Sequence, residues 1–215
     1  GSLVAMVHCN NCTSDLNAWV NLFKEYQELM GIPVDMNEIY GKLYNHALKG
    51  DADCGGLISY NYISGEPVTG LAEGRPMFVR SANDKFNLAN FMRAHLHASV
   101  GVLKIGNDIL FNEEKIKVDR ITGHGGLFKT KGVGQRILAA ALNSPISVME
   151  TAGEGGAWGI ALLAGYMVNN TKNQSLADYL EEVVFAGDAG VEITPTPEEV
   201  EGFNTYIKNY QACLP

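Results

Sequence analysis

Basic side chains are scarce in this chain of 215 residues. Sixteen lysines and arginines stand against 24 aspartates and glutamates, a net charge of -8. No Lys/Arg stripe is available to neutralise phosphates, which argues against a nucleic-acid partner. No apolar run reaches the roughly 20 residues that a membrane-spanning helix needs, which argues against a membrane. No secretory signal pattern opens the sequence as given. Cysteines number four, Cys9, Cys12, Cys54 and Cys213. That is too few for a disulfide scaffold, and their use fits a reducing compartment, the cytoplasm. Cys9-Asn10-Asn11-Cys12 is a lone C-x-x-C. A redox pair should open a helix in a βαβ unit and a zinc site needs a second pair of ligands, which appears nowhere else, so these read as small buried thiols. His95 and His97 lie two apart. On a helix they face different ways and cannot share a metal, so they read as structural or exposed. No protein metal site is expected. A Walker phosphate loop is also missing, since no Gly-Lys-Ser/Thr follows any glycine turn. Long-period repeats, low-complexity tracts and internal linkers are absent, and one α/β domain over residues 1–215 is the simplest account.

Glycine is abundant, 24 in all, and it concentrates in turns. The segment 118–165 carries the clearest pattern. Val118-Asp119-Arg120-Ile121-Thr122 reads as a short strand that runs into Gly123-His124-Gly125-Gly126. A helix follows over residues 134–142, then a strand over 146–149. Gly153-Glu154-Gly155-Gly156 opens a second helix, over 157–167. A strand feeding a glycine turn feeding a helix offers bare backbone N–H groups to an anion. Two such turns one strand apart can grip two parts of one ligand, and a nucleotide has phosphates and a nucleoside to offer.

The flanks look like packing elements. Thr13 or Ser14 caps a helix with Leu16, Trp19, Val20 and Phe23 on one face, ended by Gly31. Asp35 and Glu38 form a capping-box pattern for the next helix, which Gly50 stops. Residues 54–60 read as a buried strand and 75–79 as an edge strand. A long helical pattern runs over 87–111. Ser175 caps a helix through 184, residues 187–194 read as a loop, and Thr196-Pro197-Glu198-Glu199 starts a last helix. Gly1-Ser2 has the form of a protease scar and residues 3–7 read as a strand already under way. The expectation is a fragment of a longer polypeptide, with apolar surface bared near that first strand and the long helix, a face that admits a homodimer.

Three readings of the glycine turns compete. A Walker loop fails on the missing lysine. A dinucleotide fold would use Glu150 as the ribose acid, but Gly123-x-Gly125-Gly126 is not G-x-G-x-x-G, and the second turn is left unused. The third places phosphates at the first turn and adenosine between the first helix and the second turn.

At this point the residues resemble the FGGY carbohydrate kinases of the actin-like ATPase superfamily. Gly123-His124-Gly125-Gly126 is similar to that family's triple-glycine phosphate turn, with His124 in place of the middle glycine. Gly134-Gln135-Arg136 resembles the start of its following helix. The run from Ala157 to Gly165 resembles its adenosine-motif helix. Ser64-Gly65-Glu66-Pro67 resembles its S-G-E-R-T-P segment without the arginine. Nearly the whole chain is covered, in order, as the C-terminal half of such an enzyme, with pentulose kinases the nearest in kind. The resemblance implies an actin-like (ribonuclease H-like) α/β domain with a mixed central sheet flanked by helices. It implies the ATP-binding half of a kinase acting on a ketopentose such as xylulose or ribulose. Mg²⁺ would be carried by the nucleotide, and the sugar and the catalytic base would be held by a preceding domain, so the fragment would be inactive alone. Gly123, Gly125 and Gly126 would face phosphates, Gln135 would lie near the nucleoside, and Gly153, Gly155, Gly156 and Gly159 would let adenosine lie on backbone. The competing class is a non-catalytic nucleotide-binding or interaction module.

Overall fold

One helix collects most of the core. Asn87 caps it by accepting from the Asn90 N–H, and residues 88–108 then mix apolar groups and small alanines and glycines with buried polar side chains such as Asn90, Arg93, His95 and His97. In this computed structural model, which describes residues 4–170, 173–186 and 190–214 (Glu154 and Gly155 in their backbone only), that helix is buried continuously from residue 89 to 102. The readings of Gly1 and Ser2 lie outside the described residues.

The elements run α1 (Ser14–Leu29), α2 (Met36–Ala47), β1 (Ile58–Tyr60), β2 (Met77–Val79), α3 (Leu88–Asp108), β3 (Ile121–Thr122), α4 (Val133–Leu142), β4 (Ile146–Val148), α5 (Gly155–Asn169), α6 (Leu176–Tyr179), β5 (Val191–Ile193) and α7 (Pro197–Ala212). Helix α3 packs against α1, α2, α4, α7 and β1. Asp35 caps α2 by accepting from the N–H groups of Asn37 and Glu38. Arg93, itself buried, donates to the Leu48 and Gly50 carbonyls just past the end of α2, where a cation satisfies orphan acceptors. The reciprocal box of Thr196 and Glu199 opens α7. Helix α7 is tied to β1 by tyrosines: Tyr60 Oη donates to the Tyr210 carbonyl (2.6 Å) and Tyr206 Oη to the Ser59 carbonyl (3.2 Å).

Two small sheets result. β1 and β2 pair antiparallel, Ile58 opposite Val79. In the other sheet β4 is central, parallel to β3 and antiparallel to β5, so the sheet is mixed, as expected. Three expectations need correction. Residues 4–8 form no strand, because no neighbouring strand offers them a ladder. The expected loop 187–194 contains β5, which pairs Ile193 with Ile146 and Val191 with Val148. Of the bared apolar surface, Val4 and Met6 are exposed, but the long helix is buried over residues 89–102 and bares only Leu88 and Ile109 at its ends. Further exposed apolar groups include Leu22, Tyr26 and Leu29 on α1 and Ile160, Met167 and Val168 on α5.

His95 and His97 are both inside. Ser59 Oγ is 2.9 Å from His95 Nδ1 and Cys54 Sγ is 3.3 Å from His97 Nδ1. Burial pushes the His95 imidazole down to about 3 and holds His97 well below its ordinary value. Both stay neutral, because a cation there would lose its hydration.

Candidate functional site

The two glycine turns meet. Thr122 ends β3, and the next residues turn away because Gly125 sits at φ 110°, ψ -179°, a region closed to side chains. The Gly125 N–H donates to the Ala152 carbonyl (2.8 Å) on the second turn, and the Gly123 N–H donates to the Ser147 carbonyl (2.9 Å) on β4. Gly123 also has no room for a side chain, since a Cβ would stand 2.6 Å from the Phe128 ring. A 3₁₀ turn over Gly126–Phe128 and the left-handed Gly132 (φ 79°) then lead into α4. Gly134 packs so closely that a Cβ would come within 2.5 Å of the Leu127 carbonyl.

Beside the second turn and the start of α4 lies a cleft of about 500 Å³, lined by Phe128, Lys129, Lys131, Gly132, Gln135, Val148, Met149, Glu150, Ala152, Gly153, Val191 and Ile193; residues 123–126 of the first turn do not line it. The stem of Lys129 lies along Gly153, where a Cβ would stand 3.2 Å from its Cγ. A second cleft, of about 430 Å³, lies on the other side of the first turn. It faces residues 122–128 with Cys9, Cys12 and Thr13 opposite.

Each expected site residue now has a place. Gly123 and Gly125 shape the first corner, but their N–H groups are engaged by Ser147 and Ala152. The N–H groups at the start of the 3₁₀ turn, those of Gly126 and Leu127, meet no backbone acceptor among the described residues, as first-turn donors do. Gln135 lines the cleft but is 4% exposed. Its Nε2 donates to the Ile146 carbonyl on β4 and the Val191 carbonyl on β5, both at 2.6 Å. Its amide therefore braces the sheet behind the cleft. Gly153 is in the wall, and Gly155 and Gly156 head α5. At Gly156 and Gly159 a Cβ would meet nothing within 4 Å, and neither residue lines the cleft. The apolar wall of Phe128, Val148, Met149, Val191 and Ile193 went unread in the sequence. The alternation Val191-Glu192-Ile193 was the signal for part of it.

The sequence matches the C-terminal domain of the FGGY family of carbohydrate kinases over residues 1–168. The chain belongs to that family. No curated relative matches in a sequence comparison. Among solved structures the chain is similar to xylulose kinase from Rhodospirillum rubrum, with TM-score 0.67 and 20% identity over 95% of this chain and 38% of that one. It is similar to gluconate kinase from Lactobacillus acidophilus, with TM-score 0.59 and 21% identity over 78% of this chain and 32% of that one. It is also similar to Plasmodium falciparum glycerol kinase with ADP, with TM-score 0.60 and 18% identity over 91% of this chain and 37% of that one. The chain thus spans 38% or less of the length of each of these three proteins. The fold is that of the actin-like ATPases, and the FGGY assignment replaces the dinucleotide reading of Glu150.

Proposed function

We propose that this chain is the nucleotide-binding lobe of an ATP-dependent kinase that phosphorylates a sugar hydroxyl, with a ketopentose such as xylulose or ribulose as acceptor. The observation that carries the reading is the bond from the Gly125 N–H to the Ala152 carbonyl, which ties the first glycine corner, on the second cleft, to the second corner, in the wall of the first. A cleft of about 500 Å³ with an apolar wall suits a nucleoside. The first corner leads from it to open N–H groups at Gly126 and Leu127 and to the lysine-bearing loop, a setting that favours phosphates. In this proposal the base stacks along Gly153 and Val191. The phosphates turn over Gly126 towards the second cleft, carrying Mg²⁺ with them.

Phosphoryl transfer needs little covalent chemistry from a protein; positioning and charge stabilisation dominate. This lobe supplies the first and part of the second. The acceptor sugar and the base that takes its proton belong to the part of the relatives that this chain does not span. Isolated, the chain is therefore expected to bind nucleotide and transfer nothing.

Two measurements test the proposal. Thermal shift of this chain with MgATP and with NAD should show stabilisation by the former. Stabilisation by NAD alone rejects it. Coupled assays of the full-length protein against xylulose, ribulose, gluconate and glycerol should show ATP-dependent turnover with a ketopentose first. Nucleotide binding without turnover of any acceptor would favour the non-catalytic module.

A further inference from the structure

Residues 9–13 carry the C-x-x-C pattern, yet they do not form a metal cluster with any other described residue. They are the wall opposite the glycine corner. No strand or helix includes residues 4–13, so something else must hold this wall.

What holds it is a two-sided lattice around Glu66 and Asn11. The Glu66 side chain is fully buried, and Asn11 is 4% exposed. Glu66 Oε2 accepts from the Asn10 N–H (3.0 Å), the Asn11 N–H (3.2 Å) and Asn11 Nδ2 (3.2 Å). In return Asn11 Oδ1 accepts from the N–H groups of Ile63 (2.9 Å) and Ser64 (3.0 Å), while Asn11 Nδ2 also donates to the Ser64 carbonyl (3.1 Å). Asn10 Nδ2 donates to the Gly65 carbonyl and Asn61 Nδ2 to the Cys12 carbonyl. Glu66 is itself pinned by paired backbone bonds with Leu71. A carboxylate is costly to bury unless its lone pairs are met by donors. Here the donors come from a segment that has no ladder of its own. Glu66 Oε1 has no partner among the described residues, so the carboxylate is committed to that segment through a single oxygen.

We infer that Glu66 and Asn11 are positioning residues that hold residues 9–13 against the glycine corner and so confine the phosphate end of the bound nucleotide. Neither touches the nucleotide. They act through Cys9, Cys12 and Thr13, which face residues 122–128 across the second cleft. The inference rests on the nucleotide reading above. It assigns the C-x-x-C segment a role as a wall, in place of redox or metal chemistry.

The test compares MgATP with adenosine, by ligand-observed NMR titration into the millimolar range, for the wild-type chain, Asn11→Ala and Glu66→Gln. Asn11→Ala should weaken MgATP binding about 5- to 10-fold and leave adenosine within about 2-fold. Glu66→Gln, which keeps one acceptor oxygen, should weaken MgATP about 3-fold. Equal losses for both ligands, or none for either, overturn the inference, because a merely structural role has no means of telling phosphates from nucleoside. Amide hydrogen exchange at residues 9–13 is the second readout and needs no ligand. Exchange there should quicken in both variants ahead of the rest of the chain, and unchanged protection overturns the clasp. If the wild type binds neither ligand, the nucleotide reading fails, and the exchange result alone decides the clasp.

Discussion

Replacing Gly125 by alanine isolates the backbone device on which the cleft depends. At φ 110°, ψ -179° an alanine is strained by about 1–3 kcal/mol. No atom lies within 4 Å of the new Cβ, so none of that cost comes from a collision. The residue can relieve the strain only by rotating its peptide, which breaks the N–H bond to Ala152, another loss of about 1 kcal/mol. In a domain of this size each kcal/mol moves Tm by about 2–4 °C. Gly125→Ala should therefore lower Tm by roughly 4–16 °C, read by calorimetry or circular dichroism. Gly126→Ala is the control. Its φ is not in the left-handed region and its Cβ also meets open space, so its Tm should move by no more than about 2 °C. MgADP affinity should fall with the first substitution. A Gly125→Ala protein within a degree of wild type, or one indistinguishable from Gly126→Ala, would refute the reasoning.

Gln135→Leu leaves the buried Ile146 carbonyl and the part-buried Val191 carbonyl without the Nε2 donor. At about 1–3 kcal/mol for the buried carbonyl and up to about 1 kcal/mol for the part-buried one, urea unfolding should show a loss of about 1–4 kcal/mol. His95 and His97 should make the chain acid-sensitive. Their folded-state values are lowered, His95 to about 3, so below pH ~6.5 the unfolded chain binds protons that the folded chain refuses. Their contribution is complete above that pH and drains as pH falls towards 3, at up to about 1.4 kcal/mol per pH unit for each histidine. His97→Gln should shallow that slope between pH 6 and 4 in urea titrations, and an unchanged slope would contradict the burial argument. Burial first, then the charges of Glu66 and Cys12, push the Cys9 thiol up to about 11. Iodoacetamide labelling of Cys9, followed by mass spectrometry, should be slow at pH 8 and rise through pH 10–11.

Helices were the legible part of this sequence, because their signals are local. Asp35, Ser175 and Thr196 all cap where their side chains and spacing indicate. Thr13 also stands at the N-cap of α1, but its hydroxyl makes no capping bond. Strands were harder, because a strand of two or three residues is defined by a partner elsewhere in the chain. The apolar residues before Cys9 look like a strand and have no ladder. Residues 191–193 sit among turn formers and have one, on β4. The glycine corners were legible because only glycine tolerates the conformation at residue 125. The direction of each N–H was not, which is why Gly123 and Gly125 were expected to face an anion and instead bond Ser147 and Ala152. Gln135 turned inward for a related reason: one of the two carbonyls it bridges lies on β5, the strand that was read as loop. The lattice around Glu66 joins residues more than 50 positions apart, beyond the reach of any local pattern.

The central claim is that two glycine corners bonded to each other hold the two ends of one nucleotide. The most direct test is a ¹⁵N–¹H NMR titration of this chain with MgADP. The account predicts that the largest shifts fall on Gly126, Leu127, Gly153 and Val191 together and saturate at a single affinity. Shifts at one corner without the other, or a response confined to residues remote from both, would contradict it.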